Sequence, residues 1–139
     1  MKKDFKTFIG KAAVLCSVAA LLGVGVSANA NAKIPVELTK SMPWANSDKV
    51  TCKQISADGK VSSKSEKSVA WVMEYRGSDG QWHYQKSPEN WDRFSPGTTV
   101  PSLTGKVYNK CDQRLQLNPS GAGDDGKGGV AMGYLYIVQ

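Results

Sequence analysis

Four aromatic residues within a short stretch of the chain are the side chains best suited to hold a ligand. Trp82 and Tyr84 flank a histidine, and Trp91 and Phe94 follow in a segment that also carries carboxylates and an asparagine. Aromatic faces can stack on sugar rings, so we expect these four residues to form a ligand-binding platform. The alternative is that Trp82 and Tyr84 are hairpin core and that Trp91 packs against it, because a small domain needs its aromatics for burial.

The same stretch offers little for catalysis. Glu74, Glu89 and Asp92 could in principle supply the acid and the base of a glycosidase. A domain this small rarely encloses a cleft deep enough to shift the pKa values of two carboxylates apart. His83 also lacks a serine in a nucleophile motif that it could activate. We therefore predict that the protein is not an enzyme and uses no cofactor.

A glycine-rich segment, 121–128, matches the start of a phosphate-binding loop, G-x-x-x-x-G-K. Gly128 stands where that loop needs Ser or Thr, and Asp124 and Asp125 would repel phosphate. The same aspartates lack the acidic spacing of a calcium loop. We predict a solvated hairpin loop there and no metal site.

Residues 1–32 have the organisation of a secretory signal peptide. Lysines precede an apolar run from Ala12 to Val26, and two overlapping A-x-A patterns follow, which would leave Asn31 or Lys33 first after cleavage. The run is shorter than the ~20 residues that span a bilayer. We expect cleavage rather than anchoring, and a secreted single domain, 33–139, without a transmembrane segment.

Cys52 and Cys111 remain after that cleavage, and we expect them to form one disulfide. Paired cysteines are typical of exported proteins, and a bridge over this span stabilises a fold by about 4 kcal/mol in the chain-entropy model. A redox motif would place the two cysteines close in sequence, and zinc would need ligands beyond His83.

The charge balance argues against nucleic acid as a partner. The chain carries a net charge of +6, but residues 1–32 hold four lysines and one aspartate, so residues 33–139 keep only +3. Their lysines are spread between acidic residues, which suits an anionic cell envelope or membrane surface better than base recognition. They have few aliphatic residues but four tryptophans and five tyrosines, which indicates a small aromatic-rich core.

Short alternating runs between turn residues predict an all-β domain. The clearest strand is 68–75, followed by a turn at 76–80 and a strand at 81–86 that would complete a hairpin carrying Trp71, Tyr75, Trp82 and Tyr84. We expect a loop over 87–101, a strand over 105–111, and a terminal strand over 130–138 that is apolar on both faces and hence central. This pattern predicts a small antiparallel β-sandwich or barrel.

Together these features predict an exported β domain that binds an extracellular protein, a glycan or a cell-envelope target, with contact to a membrane surface. The mild positive charge and the abundant Trp and Tyr favour an antimicrobial, bacteriocin-like effector. The same features fit a protein inhibitor of a secreted hydrolase, or a carbohydrate or cell-surface binding module. A small glycan hydrolase is the remaining alternative.

Overall fold

The computed structural model describes residues 32–120 and 125–139, which form two antiparallel β-sheets. The predicted signal peptide lies almost wholly outside these residues, as does part of the glycine-rich segment, so both expectations stay predictions. A single turn of 3-10 helix, Pro88–Asn90, is the helical element of the described chain. No helix within this part is long and apolar enough to cross a bilayer.

Ten strands build the two sheets of the described chain. In chain order they are β1 (Lys33–Leu38), β2 (Ala45–Asn46), β3 (Val50–Cys52), β4 (Ile55–Val61), β5 (Val69–Arg76), β6 (Trp82–Tyr84), β7 (Asp92–Phe94), β8 (Thr99–Thr104), β9 (Cys111–Asn118) and β10 (Ala131–Ile137).

The larger sheet has six strands. Strand β9 pairs with β5 on one side and with the short strands β2 and β3 on the other, and β6 and β7 extend the far side of β5. The smaller sheet has the order β1-β10-β4-β8. Strand β10 is therefore central, as the apolar residues on both of its faces predict.

The two sheets pack face to face as a sandwich, which decides between the two predicted all-β architectures. Leu115 and Leu117 of β9 and Leu135 of β10 are fully buried between them. The indole nitrogen of Trp71 in the large sheet donates to the backbone oxygen of Asp58 in the small sheet at 2.8 Å. The aromatic-rich core predicted from composition was wrong: among the described residues the buried core is aliphatic, and Trp71, 2% exposed, is its single aromatic side chain.

Strand β4 bulges where it passes under this tryptophan. The register between β4 and β8 shifts between Ala57 and Gly59, and Gly59 has a φ of +145°. A Cβ on Gly59 would collide with the backbone oxygen of Met132 and lie 2.9 Å from the Trp71 ring. Glycine therefore lets the strand bend and leaves room for the indole.

The β5–β6 hairpin forms as predicted, but its aromatics do not share a face. Its register pairs Arg76 with Trp82 and Glu74 with Tyr84. Neighbouring residues on a strand point to opposite faces. Trp82 and Tyr84 therefore lie on the outer face of the sheet, whereas Trp71 points into the core.

Two other strand predictions were wrong. The segment expected as a strand, 105–111, is extended only at its last residue, where β9 begins, and the segment expected as a loop, 87–101, contains β7 and the start of β8. Both strands pair at an outer edge of a sheet, β7 with β5 and β8 with β4. Edge strands with one partner need less apolar patterning, so local sequence marks them weakly.

Cys52 and Cys111 are both free thiols in the structure, contrary to the expected disulfide. They nevertheless stand directly opposite each other in the antiparallel β3–β9 pair. Burial raises the pKa of the Cys52 thiol, and the pKa of the Cys111 thiol is also raised, first by burial and then by the charge of Asp112.

Candidate functional site

The outer face of the six-stranded sheet carries a row of polar side chains along β9. Leu115 and Leu117 point to the core, so Arg114, Gln116 and Asn118 between and beside them point outward. Pairing with β2 places Asn46 beside Gln116. An outward row of this kind is unusual because Gln116 and Asn118 are only 6% and 7% exposed.

These residues form the floor of an open groove of about 330 Å³. Its sides are aromatic: Trp44 is 53% exposed and Tyr84 is 45% exposed, and both line the groove. We call this site the outer groove; the residues that line it are Pro43, Trp44, Asn46, Tyr84, Arg114, Gln116, Asn118, Ser120, Asp125 and Gly126.

The floor of the outer groove is a continuous chain of hydrogen bonds. Ser120 donates through its backbone N–H to Oδ1 of Asn118 at 2.9 Å. Asn118 donates to Oε1 of Gln116 at 2.9 Å, and Gln116 donates to Oδ1 of Asn46 at 3.0 Å. This chain holds three side-chain amides in fixed orientations across two strands.

Arg114 is the cation of the outer groove, and two groups hold it in place. Its Nε donates to Oε1 of Glu74 at 2.6 Å, and Glu74 is only 4% exposed. Its guanidinium lies over the Trp82 ring, 4.0 Å from the centroid. Trp82 therefore supports the arginine through a cation–π contact.

Tyr84 and Trp91 form one aromatic pair. Their ring centroids are 5.1 Å apart and their planes nearly perpendicular, at 84°. The indole nitrogen of Trp91 donates to the backbone oxygen of Lys86 at 3.2 Å. Trp91 thus braces Tyr84 at the side of the groove.

Phe94 is the predicted binding residue that lies apart from the others. It pairs with Val69 in the β7–β5 ladder and packs edge-on against Trp71, with ring centroids 5.8 Å apart. Of the four predicted residues, then, Tyr84 lines the outer groove, Trp82 and Trp91 support its residues, and Phe94 faces the core. Their role in ligand binding stays a prediction.

Several groove residues were missed by the sequence-based prediction, namely Trp44, Asn46, Arg114, Gln116 and Asn118. A signal was present, because polar residues alternate with leucines over 114–118 in the second half of β9. Trp44 lies directly before β2. Nothing local links it to a strand some seventy positions later.

The remaining ionisable groups have separate settings. His83 lies 3.0 Å from the Asp79 carboxylate at the hairpin turn, and the pKa of Asp79 is lowered mainly by the backbone N–H of Gln81 and then by His83. Glu74 pairs with Arg114, Asp92 pairs with Lys86, and Glu89 is exposed. Two of the three carboxylates considered for acid–base chemistry are thus in separate ion pairs, and the third is exposed.

Comparisons of the chain with protein-family models, with curated proteins and with solved structures gave no match.

Proposed function

We propose that this protein is an exported glycan-binding domain and that the outer groove holds the sugar. The observation that carries the proposal is the combination of two exposed aromatic side chains with a floor of oriented amides. Aromatic rings offer an apolar face to a sugar ring, and planar amides and a guanidinium bind its oxygen atoms. Concave sites that combine apolar walls with a few placed polar groups are the usual form of small-ligand sites.

The same groove favours glycan binding over inhibition of a secreted hydrolase. An inhibitor would present a protruding loop to an enzyme cleft, whereas the outer groove is concave and its floor lies on rigid strands. An antimicrobial effector that acts at another cell's surface also needs a surface ligand, and an envelope glycan would be one. Antimicrobial action itself stays a prediction, and a growth-inhibition assay on a panel of bacteria tests it.

The experiment is a polysaccharide-binding measurement on the purified protein and two variants. Trp44→Ala removes an exposed groove wall, so we expect loss of glycan binding with little change in melting temperature. Tyr134→Ala is the matched control, because Tyr134 lies on the outer face of the other sheet, paired with Pro35 and Asp58. If wild type and Trp44→Ala bind every polysaccharide tested equally well, the groove is not the site.

Export through a cleaved leader belongs to the same proposal. Cleavage after residue 32 would leave Lys33, the first residue of β1, at the new N-terminus. N-terminal sequencing of the protein recovered from the culture medium tests this. A start at Lys33 or Asn31 supports export, whereas a retained Met1 on protein confined to the cell would contradict it.

We further propose that Cys52 and Cys111 join in a disulfide after export. Directly opposed residues in antiparallel strands have Cα atoms ~4.5–5.5 Å apart, within the range that a disulfide bridges. Two thiols lose two protons and two electrons, and a disulfide-bearing oxidant of the exporting compartment is reduced to its dithiol. The raised pKa values of both thiols keep them protonated and make the uncatalysed reaction slow.

The disulfide is tested by intact mass after alkylation under denaturing conditions. Protein from the medium should show a two-hydrogen deficit and no alkylated cysteine. Protein retained in a reducing cytosol should show two alkylated residues at Cys52 and Cys111. Alkylation of both residues in the exported protein would contradict the proposal.

A further inference from the structure

The amides on the groove floor have a single hydrogen-bond direction, which the backbone sets. A backbone N–H can only donate, so the bond from Ser120 makes Oδ1 of Asn118 the acceptor. The amide nitrogen of Asn118 must then donate to Gln116, and that of Gln116 to Asn46. All three side-chain carbonyl oxygens therefore accept within the row.

The floor amides consequently have more unused donors than unused acceptors. Oδ1 of Asn118 already accepts from both the N–H and the hydroxyl of Ser120, whereas the oxygens of Gln116 and Asn46 keep one lone pair each. Each amide nitrogen carries two hydrogens, and Gln116 and Asn118 each use one within the row. Both side chains are buried, so a donor left without a partner there is costly. Asn46 contributes its own amide hydrogens at the open end of the row, where it is exposed.

The charged side chains that line the groove also favour a ligand that accepts hydrogen bonds. Arg114 has five N–H donors, and Nε is the one that binds Glu74, so the terminal nitrogens remain to face a ligand in the groove that it lines. Asp125 at the rim is paired with Lys67 at 3.4 Å and with the backbone N–H of Lys127. The Asp125 side chain is 72% exposed, so water screens its charge.

We propose that the outer groove selects an acidic sugar, whose carboxylate binds Arg114 and the amide donors of the floor. A neutral sugar brings hydroxyl groups whose hydrogens need acceptors, and the amides of the floor offer fewer unused acceptors than donors. A carboxylate brings only acceptors and forms charge-assisted bonds with a guanidinium. This inference rests on the proposed glycan-binding function and names the class of sugar.

The test compares acidic polysaccharides with their own uncharged forms. Polygalacturonate, alginate and hyaluronan are each measured beside the carboxyl-reduced polymer by affinity electrophoresis, at physiological salt. We expect the wild-type protein to bind at least one acidic polymer about tenfold more tightly than its reduced form, the factor that one charge-assisted bond supplies.

Asn46→Asp tests the amide donors of the floor with the smallest change in shape. An aspartate keeps the oxygen that accepts from Gln116 and replaces the free donors of Asn46 by a negative charge, so the fold should stay intact. We expect acidic-polymer binding to fall at least tenfold. Asn109→Asp is the matched control, because Asn109 is an exposed asparagine outside the outer groove and its change adds the same charge.

Arg114→Gln supplies an independent readout, with the melting temperature measured beside it. We expect this variant to bind the acidic and the reduced polymer alike. Equal binding of both polymers by the wild-type protein, or equal loss in Asn46→Asp and Asn109→Asp, would overturn the acidic-sugar inference while Trp44-dependent binding kept the glycan function. Absence of binding to all acidic and neutral polymers would overturn both.

Discussion

The ion pair between Glu74 and Arg114 makes a prediction in which a second mutation restores stability. The Glu74 side chain is 6% exposed and that of Arg114 is 21% exposed, with Nε and Oε1 2.6 Å apart. The carboxylate is thus the more buried partner. It cannot reach water if the arginine is removed, whereas the arginine retains its contact with Trp82 if the carboxylate is removed.

The expected magnitudes follow from that asymmetry. In Glu74→Gln the amide oxygen still accepts from Nε, so the loss is the difference between a charge-assisted and a neutral hydrogen bond, ~1–1.5 kcal/mol. In Arg114→Met the Glu74 carboxylate stays buried without a cationic partner, which should lower the free energy of unfolding by ~3–5 kcal/mol. In the double variant no charge is left unpaired, so adding Glu74→Gln to Arg114→Met should raise stability.

Urea denaturation of the four proteins measures these differences at constant m-value. The decisive comparison is between Arg114→Met and the double variant. A double variant that is no more stable than Arg114→Met alone would show that the Glu74 charge is not buried against Arg114. Single variants that each lie within ~0.5 kcal/mol of wild type would show that water screens the pair.

Three further predictions concern the fold and its pH dependence. Gly59→Ala should lower the free energy of unfolding by ~2–4 kcal/mol, because its new Cβ collides with the backbone. Gly80→Ala should lower it by ~1 kcal/mol, because φ is +79° there but no atom lies within 4 Å of the new Cβ. Equal urea midpoints for the two variants would contradict this. The hydrogen bond from the Thr51 hydroxyl, and to a smaller extent Lys49, lowers the pKa of Asp112. The ionised Asp112 therefore stabilises the fold above its unfolded pKa of ~3.9, and this stabilisation is lost as pH falls through its folded pKa. Thr51→Val should raise the pH midpoint of acid unfolding. Burial raises the pKa of Tyr108 to about 12. The neutral phenol therefore stabilises the fold below its unfolded pKa of ~10, and this stabilisation is lost as pH rises from there to the folded pKa. In an absorbance titration, Tyr108→Phe should remove the tyrosine transition at the highest pH.

The all-β class could be predicted from the sequence because it depends on a local pattern. Strands β5 and β10 are predicted by apolar residues that recur at every second position. The central place of β10 follows from the apolar residues on both of its faces. The hairpin turn after β5 was equally visible, in the glycines and polar residues at 76–80. The edge strands β7 and β8 were not, because one-sided pairing leaves a weak pattern.

The site depended on pairing that no local pattern records. The register of the β5–β6 hairpin places Tyr84 opposite Glu74 on the outer face, and a shift by one residue would have turned Tyr84 to the core face. The bond between Asn46 and Gln116 joins residues 70 positions apart. Sequence alone therefore indicated a β domain with many aromatics and two cysteines. Only the tertiary structure placed those cysteines opposite each other as thiols and assembled a groove of amides, an arginine and two aromatics, because side chains distant in sequence become neighbours only when strands pair.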